Sequence, residues 1–81
     1  MGYHLRKIPK GILGQPSKIF EEFQEFEDAL EQKCSVMAIL ELADMLGAIE
    51  AYCANYNITL ADLIKMKEIT KRAFLDGSRR A

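Results

Sequence analysis

The stretch "VMAILELADMLGAIEAYCANY", Val36 to Tyr56, constrains the fold most, because it is apolar nearly all round yet holds three carboxylates and no basic residue. A helix that is apolar on every side is typical of a central element, and we expect one from Ser35 to Tyr56. Within it, Glu41 and Asp44 lie three residues apart and therefore share a face. A buried, ionised carboxylate without a partner is very costly, so the rest of the chain must supply one.

The segment ahead of the first predicted helix, residues 1–16, has two prolines, three glycines and no helical periodicity. It predicts an extended or looped arm, in which His4 is expected to be an ordinary loop residue rather than a general base. Ser17 is a suitable N-cap for a helix reaching Lys33. An apolar stripe at helical spacing predicts the core face of this helix; it comprises Ile19, Phe23, Phe26 and Leu30, with Phe20 also expected in the core.

Acidic residues flank that apolar stripe. Glu22 and Glu25 run along one shoulder of it, at the edge of the expected core. Glu21 and Asp28 point farther outward on a helical wheel, and Glu21 is expected to be solvated.

A third helix is predicted from the segment "NITLAD", where Thr59 caps the helix and Asp62 occupies position N3. It is expected to run to about Leu75, and Gly77 suits the residue after its end. Lys67 and Lys71 fall on its apolar face. They are interpreted as phosphate-binding groups, as snorkelling side chains, or as salt-bridge partners of the acids in the central helix.

The composition bounds the class of protein. A chain of 81 residues with 49% hydrophobic content forms one small domain, here residues 17–81, and its apolar content exceeds what three short helices can hide. We therefore expect an all-α hairpin with a third helix, whose bundle is completed as a homodimer or homotetramer. The net charge of −1 gives no general argument for a nucleic acid polymer or a membrane as partner.

Cellular context follows from what the sequence lacks. The N-terminus has no apolar signal-peptide core, and the acids within the long apolar run argue against a membrane span. Cys34 and Cys53 form no metal-type spacing and are expected to be reduced structural thiols in the cytoplasm.

The two acidic pairs, Glu22 with Glu25 and Glu41 with Asp44, can meet if their helices pack antiparallel. Four carboxylates within a few ångströms cannot all stay ionised without a cation. Since no histidine or cysteine is expected in this cluster, Mg²⁺, or else Mn²⁺, fits better than zinc. An acidic centre between basic ends would suit a metal-bound polyanion.

The run "KIFEEFQEFEDAL" followed by "ELADML" resembles the MazG-like all-α nucleotide pyrophosphohydrolases, which are marked by an ExxE helix followed by an ExxD helix. The resemblance covers roughly residues 17–77, including the basic segment "KMKEITKRAFLDGSR". It implies hydrolysis of a nucleoside or deoxynucleoside triphosphate to a monophosphate and pyrophosphate. By position, Glu22, Glu25, Glu41 and Asp44 would hold Mg²⁺, and Glu21 would orient water or a ligand.

Basic residues are the expected contacts of the phosphate tail, namely Lys10, Lys18, Lys67, Lys71 and Arg72. The chain departs from the family in being short and in carrying Thr70 where larger members often have an asparagine. Two alternatives follow: a relative that binds nucleotide or metal without hydrolysis, and an oligomeric helical interaction module whose acids and lysines form structural ion pairs.

Overall fold

The computed structural model describes residues 4–75, with side chains through residue 71. Over this range the chain forms helices α1 (Pro16–Glu31), α2 (Ser35–Ala54) and α3 (Leu60–Leu75), and no strand. The short turn at residues 32–34 folds α2 back against α1 as an antiparallel hairpin. α3 makes little contact with either of these helices. The predicted all-α hairpin with a third helix is confirmed.

Helix α1 begins earlier than predicted. Pro16 occupies its first turn and Gln15 is the N-cap, with no side-chain capping bond. Proline suits this position because the first turn needs no backbone donor. The predicted cap at Ser17 is wrong, since its Oγ accepts a hydrogen bond from the Ile12 amide at 3.1 Å instead. Ser17 thus helps to hold the arm against the helix.

The turn between α1 and α2 depends on a left-handed residue. Lys33 has a φ of 56°, in the region that favours glycine. The amide of Cys34 then donates to the Ala29 carbonyl at 3.2 Å and closes the end of α1. This tight reversal brings the acids of α1 and α2 onto adjoining faces.

The predicted start of α3 is confirmed. The Thr59 amide donates to Asp62 Oδ2 at 2.9 Å, and the Asp62 amide donates to Thr59 Oγ1 at 3.1 Å. This reciprocal arrangement is a capping box, and its hydrogen bonds lower the pKa of Asp62. The expected C-terminal glycine, Gly77, lies outside the described residues.

The buried core of the described chain is unusual in composition. Its buried apolar residues are small, namely Ala29, Ala38 and Ala48, whereas many large apolar side chains are exposed and others, such as Ile19 and Phe26, are half-buried. Phe20 is 63% exposed and Phe23 is 47% exposed, so the prediction that they fill a core is wrong for a single chain. Gly47 faces open space, because no atom of the described residues, apart from its chain neighbours and the local helix backbone, comes within 4 Å of where its Cβ would lie.

Over the described residues, no helix combines the length and apolar character needed to cross a bilayer.

Candidate metal centre

The hairpin brings the two acidic pairs together. Glu22, from α1, lies beside Glu41 and Asp44, from α2, so that one carboxylate oxygen from each lies within 4.8 Å of the other two. Glu25 joins a second group of the same kind with Glu21 and Glu22. The antiparallel return of α2 therefore creates a four-carboxylate cluster from Glu22, Glu25, Glu41 and Asp44. We call it the acidic cluster.

Two oxygens of the acidic cluster are buried without a hydrogen-bond partner in the described structure. They are Oε1 of Glu22 and Oε1 of Glu41, whose residues are 6% and 3% exposed. Burying a polar atom unpaired is costly, and more so when it belongs to an ionised group. A divalent cation coordinated by both residues would remove this cost.

His4 is the component of the site that sequence reasoning missed. Its Nε2 lies 3.2 Å from Glu25 Oε1 and 3.9 Å from Glu41 Oε2, and its side chain is 18% exposed. The expectations that His4 is an ordinary loop residue and that the cluster contains no histidine are wrong. No periodicity links an arm residue to a helix face, so only the folded arm reveals this contact.

Asp28 holds the arm in place beside His4. The amide of Leu5 donates to both of its carboxylate oxygens, at 3.0 and 2.8 Å, and the amide of Arg6 donates at 3.1 Å. The side-chain amide of Gln32 donates a further hydrogen bond to Asp28 Oδ1 at 2.8 Å. Asp28 is fully buried, so its predicted outward position is wrong. Burial alone would raise its pKa, but these hydrogen bonds lower it.

Glu21 anchors the arm at a second point. It is 3% exposed rather than solvated as predicted, and its Oε1 accepts from the Gly11 amide at 2.8 Å. Glycine is required there, because a Cβ on Gly11 would collide with the backbone of Ser17 and Lys18. Burial raises the pKa of Glu21, but hydrogen bonds from Gly11, Glu25 and Lys18 outweigh it and lower that pKa.

Lys18 supplies positive charge at the edge of the acidic cluster. Its Nζ lies 3.1 Å from Glu21 Oε1 and 3.2 Å from Glu22 Oε2. Burial opposes the charge of Lys18, but the bonds to Glu21 and Glu22 raise its pKa. Lys10 is 90% exposed, with its Nζ 3.9 Å from Glu21 Oε2. Two of the predicted phosphate-binding lysines therefore lie beside the cluster.

Glu25 and Glu41 retain protons more readily than usual. Burial, a hydrogen bond to Glu21, and the charges of Glu22 and Glu41 raise the pKa of Glu25 to about 7. Burial and the charge of Asp44 likewise raise the pKa of Glu41, with His4 acting in the opposite direction. Without a cation, the carboxylates of the cluster repel one another and therefore favour a bound proton. A dication bound to these carboxylates would displace that proton.

Lys67 and Lys71 of α3 are not brought to the cluster within the described part of the chain. Lys67 is exposed and pairs with its neighbour Glu68 at 3.0 Å, and Lys71 is also exposed. Among the described side chains, no ion pair joins either lysine to Glu41 or Asp44, so the alternative of a core salt bridge is wrong. The side chain of Arg72 lies outside the described residues.

Comparisons with protein-family models, with curated protein sequences and with solved structures gave no match to this chain.

Proposed function

We propose that the protein is a Mg²⁺-dependent hydrolase that converts a nucleoside or deoxynucleoside triphosphate to a monophosphate and pyrophosphate. One observation carries the proposal: the ExxE pair and the ExxD pair converge, with buried oxygens of Glu22 and Glu41 left without a hydrogen-bond partner. Hard dications prefer carboxylate oxygens, and they commonly retain sites for water and substrate phosphates.

The residues that would hold Mg²⁺ are Glu22, Glu25, Glu41 and Asp44, with Mn²⁺ as a substitute. When bound, such an ion polarises a phosphoryl oxygen and lowers the pKa of an attached water. Glu25, whose pKa is about 7, must release its proton to become a ligand. Cation affinity should therefore increase as the pH rises through neutrality.

Glu21 is inferred to be a positioning residue rather than a direct contact of the attacking water. Its carboxylate already accepts from Gly11 and Lys18 and lies near Lys10. Through these contacts it fixes the arm and places two lysines at the cluster edge. Lys10, largely exposed, is free to meet a phosphate tail, and Lys18 can do so when a cation replaces it beside Glu22.

Self-association is part of the proposal. Ile39 is 65% exposed, Val36 is 72% exposed and Ile69, on α3, is 68% exposed. A helix as short as α3 has little stability without a surface to pack on. We therefore infer that a second copy of the chain covers these faces in a homodimer or homotetramer. Lys67, Lys71 and Arg72 would then serve the acidic cluster of a neighbouring copy.

One observation favours the second candidate, an oligomeric helical module without catalysis. The ion pairs from Lys18 to Glu21 and Glu22 offset part of the buried charge without any metal. In that case the acids stabilise the arm and the hairpin, and cations add nothing.

Product analysis separates the two candidates. A panel of NTPs and dNTPs is incubated with the protein, with and without Mg²⁺, and the products are resolved by anion-exchange chromatography. Glu41→Gln removes a buried charge of the cluster, whereas Glu50→Gln changes an exposed acid on the same helix and is the matched control. Mg²⁺-dependent monophosphate and pyrophosphate, lost only in Glu41→Gln, support the hydrolase. No turnover of any nucleotide contradicts it.

A further inference from the structure

The folded arm adds a nitrogen donor to a cluster that otherwise offers oxygen alone. His4 Nε2, a Glu25 oxygen and a Glu41 oxygen lie within 4.8 Å of one another. Ligand atoms about 2.0–2.2 Å from a shared metal lie about 3–3.5 Å apart, so a small inward movement of these side chains would complete coordination. The 3.2 Å separation of His4 Nε2 and Glu25 Oε1 already falls in that range.

A second, independent observation points to a ligand at this position. Glu41 is 3% exposed, contributes an oxygen to this group, and has its Oε1 without a hydrogen-bond partner in the described chain. A buried carboxylate oxygen in that state has lost its hydration. Coordination to a cation would compensate for that loss. Glu41 Oε2 lies 3.9 Å from His4 Nε2, while the other oxygen of the same carboxylate is buried without a partner among the described residues. A cation bound through this carboxylate would offset the cost of that burial.

His4 has a fully buried carboxylate close to one side of its ring. Its other ring nitrogen, Nδ1, lies 3.9 Å from Asp28 Oδ2. Metal-bound histidines usually direct their second nitrogen toward a carboxylate, which fixes the ring and raises its basicity. Asp28 is itself held by the amides of Leu5 and Arg6, the two residues after His4. The same carboxylate thus fixes the backbone next to His4 and faces its ring.

The geometry points to a mixed nitrogen–oxygen site for a first-row transition-metal dication, formed by His4, Glu25 and Glu41. Imidazole favours metals such as Co²⁺ and Zn²⁺, whereas Mg²⁺ prefers oxygen ligands. The site shares Glu25 and Glu41 with the proposed magnesium centre. It rests on the proposed function only in requiring that the cluster bind a cation, and it does not require hydrolysis.

Calorimetric titration of the tag-free, full-length protein with Co²⁺ and with Mg²⁺ tests this site. His4→Gln should weaken Co²⁺ binding by about tenfold or more and leave Mg²⁺ binding nearly unchanged. Asp44→Asn alters a carboxylate of the magnesium centre that is not a ligand of the mixed site. It should weaken Mg²⁺ binding and leave Co²⁺ binding nearly unchanged. An unchanged Co²⁺ affinity in a folded His4→Gln variant would overturn the assignment.

A measurement on the unaltered chain covers the case in which His4→Gln fails to fold. His4 is the one histidine in the sequence, so any imidazole coupling to bound Cu²⁺ in pulsed electron paramagnetic resonance must come from it. Cu²⁺ is a first-row dication that favours imidazole. Such a coupling is expected, and its absence at saturating Cu²⁺ would overturn the site. His4-dependent Co²⁺ binding without nucleotide turnover would refute the hydrolase and leave this site standing. Mg²⁺-dependent turnover together with Co²⁺ binding that does not depend on His4 would support the hydrolase and refute this site.

Discussion

His4 Nε2 lies 3.2 Å from Glu25 Oε1, which joins the N-terminal arm to the middle of the helix that follows it. Through this contact the arm lies along one side of the acidic cluster. Hydrogen bonds from Leu5 to Asp28 and from Gly11 to Glu21 fix the arm on either side of residues 7–10. The acidic cluster, which α1 and α2 form, is therefore bordered by a third segment of the chain, the arm.

Removing the anchor of the arm should destabilise the protein. Asp28→Ala removes the acceptor of the part-buried hydrogen bonds from the Leu5 and Arg6 amides, which costs about 1–3 kcal/mol in the free energy of unfolding. Urea unfolding measures this change. Glu27→Ala, which alters the half-exposed neighbouring acid, is the control and should change stability far less. Equal unfolding midpoints for the two variants would contradict the role of Asp28.

The metal-free protein should lose stability as the pH rises from about 5 to about 8. Glu25, with its pKa raised from 4.5 to about 7, binds more protons folded than unfolded in this window, and Glu41 acts in the same direction. The lowered pKa values of Glu21 and Asp28 act at lower pH, so their contribution is already complete here. The loss attributable to Glu25 is no more than about 3 kcal/mol.

Urea unfolding in the presence of EDTA, repeated across this pH range, measures that slope. Glu25→Gln should flatten it, because the amide does not titrate. A variant whose stability falls as steeply as that of the parent would show that Glu25 is not the source. Adding Mg²⁺ should also reduce the slope in the parent, since the cation takes the place of the proton.

Lys33→Gly should stabilise the hairpin by about 1 kcal/mol, because a left-handed backbone costs roughly that much for a residue with a side chain. Lys33 has a φ of 56° in the turn between α1 and α2. Lys65→Gly, within α3, is the opposing control and should destabilise by about 1 kcal/mol. Thermal unfolding followed by circular dichroism measures both. A loss of stability in Lys33→Gly would refute the strain assigned to this turn.

A charge on an exposed apolar face should break self-association without unfolding the hairpin. Ile39→Glu places a carboxylate on α2 where the parent side chain is 65% exposed. Gln15→Glu adds the same charge at an exposed position ahead of α1 and is the control. Sedimentation velocity should find a dimer or tetramer for the parent and the control, and a monomer for Ile39→Glu. A monomeric parent at high concentration would refute the proposed assembly.

The features that the sequence predicted well are those with a local cause. The capping box of Thr59 and Asp62 needs only two residues three apart, and it forms as predicted. The approach of Glu22 to Glu41 follows from helical spacing and a short turn. Such patterns depend on neighbours along the chain, so they are accessible without a structure.

The features that the sequence predicted poorly depend on the path of the arm. A helical wheel of α1 alone predicts that Asp28 points outward and that Glu21 is solvated, because nothing on the wheel covers the outer face of the helix. For the same reason, nothing in the sequence pattern links His4 to that face. The arm covers that face, and its backbone amides offset the burial of both acids. The prediction for Phe20 and Phe23 is wrong for a different reason: apolar periodicity identifies a helix face that must be covered, but it does not identify what covers that face.

Calorimetric titration of Mg²⁺ into the parent protein and into Glu41→Gln, with Glu50→Gln as control, tests the central claim most directly. If the acidic cluster holds a dication, the parent and Glu50→Gln bind Mg²⁺ with equal affinity, and Glu41→Gln binds it about tenfold more weakly or not at all. Absence of Mg²⁺ binding to the parent, or equal binding by all three proteins, would contradict the claim that these carboxylates form a metal centre.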